Sequence, residues 1–263
     1  MSVTNSLLLC LILVFVSTEA RAGEFTFSKY CQSPEPNCAI DYSGDIEVGD
    51  VGKLAQILVR AESRSNFNHQ LNLDSDGGDV AVALKLGRLI RQHRLITFTF
   101  SECYSACVIV LAGGVKRSPV VEFVGVPVGK VGIHRPYTEN LASNFEKHQA
   151  DFRELGRQIR NFLREGGVSD RLWDDMIQIP PEEMKLLTTD ELRAYGLLGD
   201  DPAYADFEDA EKAKHLGISK QEYLKRKHQM MILCDDNRNV VMADHTGEAL
   251  HSCRNEVLEG RLP

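Results

Sequence analysis

Two stretches of this chain follow one plan, and that plan restricts the fold more than any other feature. Each has a short run that reads as a buried strand, an abrupt cluster of small and polar residues, and then apolar residues at helical spacing. In the first, Gln70-Leu71-Asn72-Leu73 breaks into Asp74-Ser75-Asp76-Gly77-Gly78 before residues 80–90 resume with a helical period. In the second, LITFTF at residues 95–100 breaks into Ser101-Glu102-Cys103-Tyr104-Ser105-Ala106-Cys107, followed by the apolar segment 108–112 and Gly113-Gly114. Strand, tight turn and helix in series predict an α/β architecture with right-handed crossovers and parallel pairing.

Residues 51–61 also carry helical spacing, and residues 120–124 and 130–133 read as strands, the second ending at His134-Arg135-Pro136. Residues 25–43 look irregular and cysteine-stapled. Residues 139–165 are a charged amphipathic stretch with Leu141, Phe145, Phe152, Leu155, Ile159 and Leu163 as apolar members, which predicts a long helix that projects or packs against a neighbour. Ser169 is placed to cap a further helix, Pro180-Pro181 interrupts it, and Thr188-Thr189-Asp190-Glu191 opens another that ends at Gly196. Residues 200–206 read as an acidic linker. Beyond it lie one charged helix to about His228 and a Cys234-to-Cys253 loop suited to a hairpin around Asn237. The expected division is a signal segment at 1–22, one main α/β domain at 23–200 and a helical, cysteine-linked extension at 201–263.

The signal segment rests on residues 6–16, SLLLCLILVFV, an apolar run of 11 residues followed by Ala20-Arg21-Ala22, the small-x-small pattern that signal peptidases cut. The run is shorter than the roughly 20 residues that span a bilayer. Cleavage near Ala22 and a periplasmic or secreted destination are therefore expected, although no Lys or Arg precedes the run. Leu9 stands where lipid attachment to Cys10 would need a small residue. Cleavage removes one acid, Glu19, and one base, Arg21, so the net charge of −8 is unchanged. That charge argues against nucleic acid and anionic membranes as partners.

The mature chain keeps six cysteines: Cys31, Cys38, Cys103, Cys107, Cys234 and Cys253. An even number in an exported protein reads as disulfides. Six cysteines admit about 15 pairings, of which sequence proximity favours Cys31–Cys38, Cys103–Cys107 and Cys234–Cys253. Cys103 and Cys107 stand at i, i+4, where one helical turn would bring Cα atoms to about 6 Å; alternatively they are small buried residues or pair elsewhere. Zinc is not expected, because paired C-x-x-C spacing and partner histidines are missing. No cofactor or metal is implied.

Acyl transfer needs a nucleophilic hydroxyl at a sharp strand-to-helix turn, a base for its proton, and backbone donors for the oxyanion. Ser105 follows the LITFTF strand and precedes an apolar helix, beside the N–H of Ala106. Gly77 and Gly78 lie at the other strand-to-helix turn, where only glycine lets backbone N–H groups approach so closely. His134, at the end of a later strand, is within reach of the same crevice. Singly, these are an ordinary N-cap, a turn and a strand-end histidine; together they make a constellation.

On LDSDGGDV at 73–80, CYSACVIVLAGGVKR at 103–117, GIHRP at 132–136 and LLTTDELRAYGLL at 186–198, the chain resembles the Clp-peptidase superfamily of the ClpP/crotonase-like fold, specifically its exported bacterial relatives, over roughly residues 45–200. The resemblance implies a serine peptidase domain with Ser105 as nucleophile, His134, 29 residues later, as base, and Gly77, Gly78 and Ala106 as oxyanion hole. It also implies that residues 139–165 are a handle helix through which subunits stack into a homo-oligomeric ring. Two positions depart from the family pattern. Asp76 stands where proline is usual, and the family's acid falls at about Pro180, which cannot orient a histidine. Asp174, Asp175, Glu182 and Glu183 are the nearby replacements, with Glu182 chosen for its place after the proline break; a Ser–His dyad is the alternative.

Three functional classes follow. The first is an ATP-independent serine peptidase or related acyl hydrolase acting on peptides or unfolded proteins, with no ATPase partner implied, since the chain has no phosphate-binding loop. The second is a catalytically silent oligomeric binding scaffold. The third is a crotonase-type acyl-CoA enzyme, against which export and the Ser105/His134 pair both weigh.

Overall fold

The computed structural model describes residues 22–34, 37–119, 122–123, 126–127, 129–136, 145–235 and 248–262. The signal segment before Ala22, Leu141 and Asn237 lie outside the described residues. Strands run β1 Glu24–Phe27, β2 Cys38–Ser43, β3 Phe67–Asp74, β4 Ile96–Phe98, β5 Glu102–Tyr104, β6 Lys116–Ser118, β7 Glu122–Phe123, β8 Val126–Pro127, β9 Lys130–Ile133, β10 Lys185–Leu186 and β11 Gly199–Asp200. A six-stranded sheet has the order β1-β2-β3-β4-β6-β11, and a three-stranded sheet the order β10-β9-β5. In the larger sheet β2, β3, β4 and β6 pair in parallel, while β1 and β11 close the edges antiparallel.

The parallel core is built from the predicted units. Helix α1, Asp50–Glu62, buries Leu54, Ile57, Leu58 and Ala61 between β2 and β3. Helix α2, Val80–Gln92, is capped by Asp79, whose side chain accepts from the Val82 N–H, and buries Val82, Ala83, Leu86 and Ile90. The second unit differs from expectation. LITFTF ends at Phe98 as β4, and Glu102-Cys103-Tyr104 forms a separate strand in the other sheet. Only then does the five-residue helix α3, Cys107–Leu111, begin. The segment at 25–43 is also more regular than its sequence suggests, forming β1, a 3-10 turn at Lys29–Gln32 and β2. β2 carries no clean alternation, because Cys38, Ala39 and Ile40 are all buried, and its regularity comes from pairing with the distant β3.

Helix α4, Phe145–Glu165, realises the described part of the long amphipathic stretch. Its C-terminal half buries Ile159, Phe162 and Leu163 in this chain's own core. Gly87 of α2 permits the contact, since a Cβ there would stand 2.6 Å from Phe162 Cζ. Helix α5, Arg171–Met176, takes Asp170 as its N-cap residue rather than Ser169, whose N–H is bonded to the Tyr195 carbonyl. Helix α6, Thr189–Tyr195, has the predicted Thr188/Glu191 capping box and ends at Gly196 in the left-handed region.

The tail departs most. Residues 202–206 belong to helix α7, Pro202–His215, with Asp201 as cap, and α8, Lys220–Met230, is a separate helix after Gly217. Cys253 lies on helix α9, Glu248–Leu258, so its side of the Cys234–Cys253 loop is helical and not a hairpin strand. One buried cation ties three turns of the main domain together. Arg117, 1% exposed, donates to the carbonyls of Gly114, Gly166 and Gly196. Burial pulls its pKa down to about 10, and Asp201 opposes that shift, so it stays charged at neutral pH. No described helix is long and apolar enough to cross a membrane.

Candidate active site

Two turns are sewn together by backbone bonds at the point where the sheets meet. The Ser75 N–H donates to the Glu102 carbonyl at 2.8 Å, and the Tyr104 N–H returns to the Ser75 carbonyl at 2.9 Å. The glycine turn after β3 is thereby placed against the serine turn after β5. Ser105 itself is fixed from a third side, because its N–H donates to the Gly132 carbonyl of β9 at 2.9 Å.

Ser105 has φ 54°, in the left-handed region. L-residues avoid that region because Cβ crowds the following carbonyl, at a cost of about 1–2 kcal/mol. His69 and Arg94 share the sign of φ, but both are exposed, whereas Ser105 is only 8% exposed. The reversal follows from the topology. The chain must leave β5, turn within two residues and enter α3 while Cys103 and Cys107 are bonded to each other across the turn. Their Cα atoms are 5.2 Å apart. The expected pairing is therefore present, but it spans a strand, a turn and a helix start instead of one helical turn. Cys31–Cys38 and Cys234–Cys253 are also bonded as expected.

Gly77, φ 117°, packs directly on this turn. A Cβ added there would lie 2.7 Å from Ser105 Cβ, 3.0 Å from the Tyr104 carbonyl oxygen and 3.2 Å from the Ala106 nitrogen. Its N–H is taken by Ser75 Oγ at 3.1 Å, so Gly77 contributes close approach rather than a spare donor. The neighbouring loop pins the turn from behind: the Ile46 N–H donates to the Gly77 carbonyl at 2.6 Å and the Asp79 N–H to the Ile46 carbonyl. Among the described residues, the N–H groups of Gly78 and Ala106 donate to no acceptor. For Ala106 this is the ordinary state of an N–H at a helix start, which has no carbonyl one turn back. Ala106 directly follows Ser105, and Gly78 follows the Gly77 that packs on it.

His134 is the first residue after β9, the strand paired in parallel with β5 through Tyr104 and Gly132. The register puts it on the strand beside Ser105, two residues past the carbonyl that holds the Ser105 N–H, and it is buried to the same 8% exposure. Adjacent strands lie about 4.8 Å apart, so the two residues stand on neighbouring segments at the same end of the sheet. No hydrogen bond joins them among the described residues, and catalytic pairs often engage only when substrate is bound.

The carboxylates are placed less favourably. Arg135 N–H bonds the Ile179 carbonyl at 2.9 Å, which brings Pro180 beside the end of β9. Glu182 and Glu183 are exposed on the turn that follows, and Glu182 has no ion pair or hydrogen bond among the described residues. Asp174 is held by Arg160, and Asp175 accepts from the Tyr195 hydroxyl. Asp76 is exposed, and its charge adds to burial in raising the pKa of Asp45. Burial and a hydrogen bond to Glu102 push the Tyr104 phenol up to about 12, with a smaller contribution from Asp76. A Cβ at Gly132 would meet Met184 Sδ at 2.6 Å and Tyr104 Cδ1 at 2.8 Å, so Tyr104 and Met184 close over β9 next to His134.

Sequence reasoning had not singled out Ser75, Ile46, Tyr104 or Gly132. For Ser75 a signal was available: a serine two residues before a glycine can bond the backbone ahead of it. The other three act through pairings between distant segments.

No family model and no curated protein matches the chain. Solved structures that superpose on it include a peptidase from Plasmodium falciparum, at 13% identity and a TM-score of 0.43, over 59% of this chain and 90% of that one. They also include a ClpP1 mutant from Listeria monocytogenes, at 17% identity and a TM-score of 0.41, over 59% of this chain and 84% of that one. Likeness at this level bears on neither mechanism nor substrate.

Proposed function

We propose that this protein is an exported, ATP-independent serine hydrolase of peptidase type, with Ser105 as nucleophile and His134 as general base. The observation that carries the proposal is the buried Ser105 held at φ 54°, with Gly77 packed against it and His134 directly after the adjacent strand. In this reading His134 takes the Ser105 hydroxyl proton as Oγ attacks the acyl carbon of a peptide or unfolded chain. The N–H groups of Gly78 and Ala106 stabilise the oxyanion. Collapse expels the amine, which leaves with the proton from His134, and water releases the acyl group by the same route in reverse. The mechanism needs no third acid, so Glu182 has no assigned step. Homo-oligomerisation and export complete the proposal on the strength of the sequence.

A catalytically silent scaffold is the second reading, favoured by Asp76 beside the glycine pair and by Pro180 where the family's acid would stand. Labelling of the purified mature chain with a fluorophosphonate separates the two. Wild type is expected to label, and Ser105→Ala is expected to lose all labelling with an unchanged circular dichroism spectrum. Equal labelling of the two proteins would remove Ser105 from the mechanism.

A further inference from the structure

The face of the six-stranded sheet turned away from α1 and α2 carries a groove of about 840 Å³ that the catalytic proposal does not use. Its floor is a row of amides and one carboxylate. Asn68 Nδ2 lies 3.5 Å from Gln70 Oε1, Gln70 Nε2 donates to Asn72 Oδ1 at 2.6 Å, and Asn72 Nδ2 donates to Asp41 Oδ1 at 2.6 Å. The direction of this chain is fixed by its end. A carboxylate only accepts, so Asn72 must present its NH2 to Asp41 and its oxygen to Gln70, and Gln70 must then do the same toward Asn68. Each amide nitrogen has two N–H bonds and spends one within the row. Among the described residues, the second N–H groups of Gln70 and Asn72 and the second oxygen of Asp41 have no partner and remain for a ligand. Gln70 and Asn72 are alternate residues of one strand, so their donors recur at about 7 Å.

Phe100, 51% exposed and stacked on Phe98 at 4.6 Å, and Tyr30, 54% exposed, stand among the lining residues. Half-exposed rings beside a row of amides that ends in one carboxylate suit a ligand with flat apolar faces and polar edges. An extended peptide seeks free strand backbone; here β2 and β3 are each paired on both sides, so the floor offers side chains only. Asp41 and Asp74 in the lining outnumber its one cation, Lys29, whose Nζ lies 5.2 Å from the Tyr30 ring centroid, and so oppose an anionic ligand.

We propose that this groove binds a neutral oligosaccharide bearing acetamido groups. The pyranose faces rest on Phe100 and Tyr30, and the acetamido N–H and C=O pair with Asp41 and with the spare N–H groups of Gln70 and Asn72. The proposal does not depend on catalysis at Ser105.

The test is calorimetric titration of the mature chain with tetra-N-acetylchitotetraose. Saturable binding is expected, weakened at least fivefold in Phe100→Ala and in Asn72→Leu, while Ser105→Ala binds as wild type does. Circular dichroism of each variant confirms folding, and Gln70→Leu provides a second floor variant if Asn72→Leu does not fold. Three results would overturn the proposal: no saturable binding at millimolar sugar, wild-type affinity in all the groove variants, or light scattering showing that a second copy of the chain covers this face and blocks the sugar.

Discussion

At Ser105 the chain accepts a local cost that its neighbours hold in place. A buried, non-glycine residue at positive φ persists only when the surrounding structure over-determines it, and such residues gather at functional sites. Three constraints act here: the Gly132 carbonyl on the Ser105 N–H, the Cys103–Cys107 bond across the turn, and Gly77 packed on its Cβ. Gly77 is the most exposed to test. In Gly77→Ala, the new methyl would stand 2.7 Å from Ser105 Cβ on a backbone at φ +117°, which L-residues rarely adopt. Either the turn or the nucleophile must move. The expected result is a fluorophosphonate labelling rate lower by on the order of 100-fold, with a stability loss of about 1–3 kcal/mol. Labelling kinetics and thermal melts on one preparation measure both, and a wild-type rate would show that the two turns do not share a site.

Among the elements, α3 illustrates what sequence could and could not reveal. The apolar segment after Ser105 is legible as a helix, as is the Thr188/Glu191 box of α6, because each signal lies within a few residues. The strand Glu102–Tyr104 is not, since it has three residues, one of them charged, and owes its existence to pairing with β9 and to the Ser75 bridge. Likewise the boundary between α7 and α8 turns on Gly217, which a charged background hides. The placement of Ser105, His134 and the glycine pair at strand ends was therefore legible from the local pattern, whereas the use of the Gly77 N–H by Ser75 and the exposure of Glu182 needed the tertiary structure. The same element yields a prediction. The Cys103–Cys107 bond closes so small a loop that its chain-entropy contribution is about 2 kcal/mol. Its larger effect should be on where Ser105 points. Replacing both cysteines, Cys103→Ala with Cys107→Ala, should lower hydrolysis while circular dichroism still reports a folded core. Activity that survives in full would show that backbone bonds alone hold the turn.

For the molecule as a whole, the three bonds form one argument about where it works. All six cysteines from Cys31 onward are paired, at sequence separations of 7, 4 and 19 residues. In the chain-entropy model, loops of these lengths contribute about 2–3 kcal/mol each, an upper range because native strain reduces it. Their sum is comparable with the roughly 5–15 kcal/mol by which whole domains are stable. A chain built this way should lose much of its margin in a reducing compartment and keep it in an oxidising one. Two preparations of the mature chain test this, one exported to the periplasm and one made in a reducing cytosol and kept reduced. The exported form should show no free thiols by titration, a non-reducing peptide map with the three observed pairs, and a higher melting temperature. The separation should be graded. Reduction of Cys234–Cys253 should loosen the hold of α9 on the π-helical turn Met231–Asp235 while the parallel sheet persists. Reduction of Cys103–Cys107 should appear first as lost labelling at Ser105. Six free thiols in exported, active protein would reject both the brace and the oxidising destination.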